Sequence, residues 1–163
     1  MQQKVLVPID LARCPLEVFE WVNRLSQQSP MTVILLHVVT LNLLAAENRI
    51  YEELGTQVRG SLQRLARTYL RPATSTLIRV RLGQPVEQIL AQARADHPDL
   101  ILLPVQRLGF QKRPALPWHR QSRAIVSGLA RKVLRNAACD VLVVPSNAPF
   151  DRARDPGGDH QAR

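Results

Sequence analysis

Eight cations and no carboxylate lie between Asp99 and Asp140: Arg107, Lys112, Arg113, Arg120, Arg123, Arg131, Lys132 and Arg135. Guanidinium groups hold phosphate or carboxylate through planar, paired hydrogen bonds, and arginine outnumbers lysine 19 to 3 in this chain. A GC-rich genome also enriches arginine, so composition alone names no ligand. Position says more. The tract follows an apolar strand-like run, Asp99–Leu103, and open parallel sheets bind ligands at the carboxyl ends of their strands. Lys112, Arg113, Arg120 and Arg123 therefore form a candidate surface for an acidic protein partner or an anionic ligand. Phe110 and Trp118 stand among these cations, where a nucleic-acid binder would place stacking rings. No base-reading motif accompanies them, so they read better as pins holding the loop to the body, and nucleic acid is not the expected partner.

Other chemistry is sparse. His37 lies inside an apolar run and reads as a packed histidine rather than a base, while His97, His119 and His160 are scattered. No Ser/His/Asp or Cys/His set can be placed at one rim, so no catalytic residues are expected. Cys14 and Cys139 are isolated, without CxxC spacing, which argues against a metal site or a disulfide framework. Cys14 immediately precedes a helix start, where the helix dipole can lower a thiol pKa. A half-buried, inert thiol is nonetheless the expectation.

The 163 residues, 45% of them hydrophobic, suit one compact domain that folds without disulfide or metal. Met1–Asp10 enters a strand pattern directly, with no signal-peptide core, and no apolar run approaches the ~20 residues of a membrane span. A cytoplasmic protein with no membrane contact is expected. The net charge of +9 belongs to the body, because the final thirteen residues carry three arginines against three aspartates. The expected boundaries are a domain over 1–146, a basic loop insertion over 104–123, and a disordered tail over 147–163.

Strand and helix patterns alternate to the end of that domain. Lys4–Ile9 reads as a buried strand. Pro15, Glu17 and Glu20 suit a helix start whose apolar face is Val18, Phe19, Val22 and Leu25. Thr32–Val39 is almost wholly apolar, as in a strand covered on both faces. From Glu47 to Arg71, the residues Ile50, Leu54, Val58, Leu62, Leu65 and Tyr69 recur at helical spacing. Thr76–Leu82 alternates after Leu77, as an edge strand does. Pro85 opens the next helix, with Ile89, Leu90 and Ala93 inward. After Asp99–Leu103 and the basic tract, Ile125, Val126, Leu129, Ala130, Val133 and Leu134 form a buried stripe, and Val141–Val144 is the last strand. Such alternation predicts a doubly wound α/β fold with helices on both faces of a parallel sheet.

Four signatures in this order resemble the universal stress protein family. They are Val7-Pro8-Ile9-Asp10, Leu36-His37-Val38, Gly83-Gln84-Pro85 with Pro98-Asp99-Leu100-Ile101, and Lys132 through Pro145 with its Val-Leu-Arg-Asn-Ala-Ala-Cys-Asp-Val-Leu-Val-Val core. The resemblance implies a five-stranded parallel sheet of order 3-2-1-4-5, and a stress-response binding protein rather than an enzyme. It also implies a homodimer through the last strand, Val141, Leu142, Val143 and Val144, whose bare edge must be covered or paired. The tail covering that edge within one chain is the alternative.

Members of the family that bind ATP carry G-x-x-G, a short spacer and Gly-Ser/Thr after the fourth strand. Those glycines bring main-chain amides onto phosphates at a helix start. Here Pro104 and Arg107 stand at the first two positions, with Ser127 and Gly128 at the last. Proline has no N–H to donate, and arginine brings a Cβ where close approach is wanted. The usual ATP loop is therefore expected to be absent. Asp10 and Val38 match the family's adenosine-side contacts, and each also has an ordinary structural role, in a turn cap and in the core. ATP remains possible through the arginine side chains of the loop.

Overall fold

Strands made almost wholly of Val, Leu and Ile need cover on both faces, and five of them find it in one sheet. The computed structural model describes residues 2–14, 16–40, 48–106 and 128–146. Its strands are β1 (Gln3–Pro8), β2 (Met31–Val39), β3 (Ser75–Leu82), β4 (Leu100–Gln106) and β5 (Asp140–Ser146), all parallel, in the order β3-β2-β1-β4-β5. Helices α1 (Glu17–Ser26) and α2 (Asn48–Tyr69) cover one face, and α3 (Pro85–Asp96) and α4 (Gly128–Asn136) cover the other. This is the expected doubly wound fold, and β3 is an edge strand as its alternation indicates.

Two-residue periodicity divides the core. Val5, Val7, Val33, Leu35 and Leu102 pack with Val18, Phe19, Val22, Val58 and Leu62. Leu6, Ile34, Leu36, Ile101 and Leu103 pack with Ile89, Ala130 and Val133. Each fully buried large side chain contributes about 1.5–3 kcal/mol relative to exposure. On the first face Phe19 stacks on Tyr69 with ring centroids 5.5 Å apart. One turn later Asn23 donates from Nδ2 to the Tyr69 carbonyl at 2.7 Å and accepts the Arg71 N–H at 3.1 Å. That side chain satisfies the carboxyl end of α2, which the helix cannot satisfy itself.

The second face carries a polar layer that sequence inspection misses. Arg79 on β3 grips Asp96 of α3 through Nε and Nη2 at 3.1 and 3.3 Å. Gln92, 4% exposed, donates to the same carboxylate at 2.6 Å and accepts from Arg81 Nε. Arg79 and Asp96 lie seventeen residues apart, on different elements. Helix α3 begins as expected, with Pro85 at its first position, and closes on His97 in the left-handed region (φ 47°) before Pro98.

Two expectations change. Leu134 is 44% exposed, outside the stripe of Ala130 and Val133. It stands on the flank of α4, where helical spacing alone cannot tell cover from solvent. Strand β4 runs on through Pro104, Val105 and Gln106, because β5 pairs with all three, so the connecting loop starts after Gln106. The rest of the 104–123 insertion, Pro15, Ile125, Val126 and the 147–163 tail lie outside the described residues.

Burial alone would raise the Asp96 pKa. Hydrogen bonds from Arg79 and Gln92 and the charges of Arg79 and Lys4 outweigh it, holding the carboxyl below its ordinary 3.8. A carboxyl depressed by folding stabilises the protein above its unfolded pKa, and this contribution is lost as pH falls through the folded value. Denaturant titrations should therefore show wild type more stable than Asp96→Asn by a constant margin above about pH 5, shrinking below about pH 4. A margin independent of pH would contradict the ion pair.

Candidate functional site

The sheet opens where its strand order reverses. β1 and β4 are paired only at Val5–Leu100 and Leu6–Ile101, although β1 stays paired with β2 to Pro8. Ile9 donates its N–H to the Leu36 carbonyl at 2.7 Å, which turns odd-numbered residues of β1 toward β2. Strand alternation then points residue 8 toward β4, and proline has no N–H to offer there. The ladder between the two strands thus stops short of the carboxyl end of β1, at the switch point where doubly wound folds hold ligands.

Residues from β1 and β2 line up at this rim. Asp10 leaves β1 in an extended conformation, and its Oδ1 accepts the Ala12 N–H at 3.0 Å. Its carbonyl accepts the Arg13 N–H at 3.0 Å, closing a short 3-10 turn over Leu11–Arg13. The exposed carboxylate therefore caps a turn while facing the rim. His37 sits 2.7 Å from the Ile9 carbonyl through Nδ1. A carbonyl only accepts, so Nδ1 carries the proton and Nε2 is the ring's other functional nitrogen. His37 is a fastener for the turn that presents Asp10, more specific than a packed core residue. Val38, half-buried, follows on the opposite face of β2 and packs against the α3–α4 cluster. Gly83, at φ +131°, donates to the Val39 carbonyl at 3.0 Å and ties β3 to this rim.

The far side of the crevice differs from a phosphate cradle. Pro104 is part of β4 and pairs with Val144, so the main chain there is sheet and carries no donor. Gly128 is the first residue of α4, exposed, with no atom within 4 Å of where a Cβ would stand. Arg107, Lys112, Arg113, Arg120, Arg123 and Ser127 lie outside the described residues, as do Phe110, Trp118, His119 and His160. A groove of about 440 Å³ bounded by Ser29, Pro30, Met31, Arg71 and Thr74 lies at the opposite end of the sheet from Asp10 and Val38. Among the described residues no group of three His, Cys, Asp or Glu side chains could hold a metal ion, and no helix is long and apolar enough to cross a membrane.

Five parallel strands in the order β3-β2-β1-β4-β5, with helices on both faces and an aspartate just past the first strand, define a doubly wound α/β protein. The chain belongs to the universal stress protein family, whose model matches residues 1–145. No curated protein matches it. Among solved structures it is similar to the hypothetical protein MJ0577, at 19% identity and TM-score 0.68 over 91% of this chain and 99% of that one. It is also similar to the universal stress protein UspA of Lactobacillus plantarum, at 21% identity and TM-score 0.58 over 87% and 97% of the two chains. An Arabidopsis thaliana family member solved with AMP bound shares 18% identity and TM-score 0.57 over 91% and 97%. Others of this fold were solved with cAMP and with dAMP.

Cys14 ends the turn that Asp10 begins, and its surroundings agree with the inert, half-buried thiol expected there rather than with activation by the helix dipole. Burial, followed by the charges of Asp10 and Glu17, pushes its thiol pKa up to about 12. Burial and the charges of Asp140 and Asp99 raise Cys139 as well. Thiolate is the reactive form, so at pH 8 Cys14 should alkylate with iodoacetamide at least about tenfold more slowly than free cysteine, the higher nucleophilicity of a high-pKa thiolate offsetting part of its scarcity. Mass-resolved labelling kinetics measure this, and labelling of Cys14 at the free-thiol rate would contradict the burial.

Proposed function

We propose that this protein is a non-catalytic, cytoplasmic stress-response binding protein that works as a homodimer and does not cradle ATP with main-chain amides. One observation carries the reading. Pro104, at the place of the family's first phosphate-loop glycine, is a strand residue paired with Val144 and has no N–H. Dimerisation is supported by the outer edge of β5, Val141, Leu142, Val143 and Val144, which no strand among the described residues covers. Lys112, Arg113, Arg120 and Arg123 then serve as the docking surface for an acidic partner or an anion.

A second reading is favoured by the relatives solved with AMP, cAMP and dAMP. In it Asp10 and Val38 meet the nucleoside, Ser127 and Gly128 stand at the helix start, and Arg107 with the loop cations grips phosphate. Charge-assisted guanidinium bonds are strong enough to replace amide contacts.

Calorimetric titration with Mg-ATP and with AMP separates the two. The first reading predicts no ATP binding tighter than about 1 mM. Micromolar binding would overturn it. If Arg107→Ala with Arg123→Ala then abolished that binding while the melting temperature of the free protein held, the second reading would stand.

A further inference from the structure

Four large hydrophobic side chains are exposed among the described residues, and all four stand at the two edges of the sheet. Leu77 and Leu82, 38% and 44% exposed, belong to edge strand β3. The other two are Trp21 on α1, 38% exposed, and Leu134 on α4, 44% exposed. Helical geometry shows where these two point. Helix α1 lies over β4 and β5, with α2 on its other side toward β3. Phe19 and Asn23 mark the flank of α1 that meets α2, through the Tyr69 stack and the Tyr69 and Arg71 hydrogen bonds. Trp21, two residues on from Phe19, is turned about 200° from it. It therefore occupies the opposite flank, above the β5 edge. The Arg24 guanidinium lies over its ring at 5.7 Å and holds it there.

The same construction applies below the sheet. Ala130 and Val133 of α4 are buried against the strands. Right-handed crossovers and a right-handed helix then turn Leu134, about 100° past Val133, toward the β5 side and away from α3. The open ladder edge of β5 is thus bracketed by a bare tryptophan on one face and a bare leucine on the other. A soluble chain that keeps both exposed beside an uncovered strand presents an interaction surface.

We infer that Trp21 and Leu134 form a two-sided clasp that a second copy of this chain closes when two β5 strands pair antiparallel. This inference rests on the dimer reading above and names the side chains that secure it. A second copy is the occupant that satisfies every part of the surface at once. A two-fold axis normal to the sheet joins the β5 ladders, sets α1 beside the partner's α1, and sets α4 beside the partner's α4. On α1 the register is self-complementary: with the two tryptophans at the axis, Glu17 near the amino end of one helix faces the partner's Arg24 near the carboxyl end of the other. On α4 Leu134 meets its own copy. The clasp would also fix antiparallel register, which backbone pairing alone specifies weakly.

Sedimentation equilibrium of the full chain tests this, comparing wild type with Trp21→Lys, Leu134→Lys and the control Leu77→Lys on the opposite edge. The expected result is a wild-type dimer whose dissociation constant rises about tenfold or more in each of the first two variants and is unchanged in the control. All four proteins should keep the same circular dichroism spectrum, since the substituted side chains are solvent-facing in the monomer. A wild-type dimer equally tight in Trp21→Lys and Leu134→Lys would overturn the clasp and leave β5 dimerisation standing. A wild type that stays monomeric at every concentration, or equal weakening by Leu77→Lys, would overturn the clasp; the monomer would remove the dimer reading as well.

Discussion

The divergence of β1 from β4 is the constraint on which the rest of this structure depends. Pro8 stands at this point, oriented toward β4 with no N–H to give it. At the other end the same strands are locked, with the Lys4 N–H on the Asp99 carboxylate at 2.8 Å and the Asp99 N–H on the Lys4 carbonyl at 2.9 Å. The sheet is thus tied at its base and open at its rim, and two apolar layers keep it rigid around the opening. Asp10, fixed by its own turn and by the His37 bond to Ile9, stands at this opening because β1 ends there.

A second proline, Pro104, stands near the carboxyl end of β4. In a phosphate cradle, glycines let consecutive amides converge on an anion at a helix start. Here β5 pairs with β4 as far as Gln106 and so recruits that stretch into the sheet, with Pro104 in its middle. Proline offers no main-chain donor, and the sequence supplies a long run of cations just beyond. Asp10 and Val38 stand at the ends of β1 and β2, across the sheet from Pro104.

Much of this was legible in the residues. Two-sided apolar runs marked the strands, Pro85 marked the start of α3, and the order of four short signatures supplied the strand order. What escaped sequence inspection depended on neighbours far along the chain. The Arg79–Asp96–Gln92–Arg81 layer joins an edge strand to a helix, and no local pattern announces it. The end of β4 was misplaced because proline reads as a strand breaker unless the facing strand is known. Leu134 fits a buried stripe by spacing, yet the sheet ends before reaching it. For Cys14 the sequence shows the half-buried setting and the following helix, but not that the carboxylates of Asp10 and Glu17 also act on its thiol.

The most direct test is a crystal structure of the protein soaked with a non-hydrolysable ATP analogue and magnesium. The account predicts either an empty crevice or phosphates held by guanidinium groups, with no main-chain contact near residue 104. Phosphates seated on the backbone nitrogens of residues 105–107 and 127–128 would contradict it.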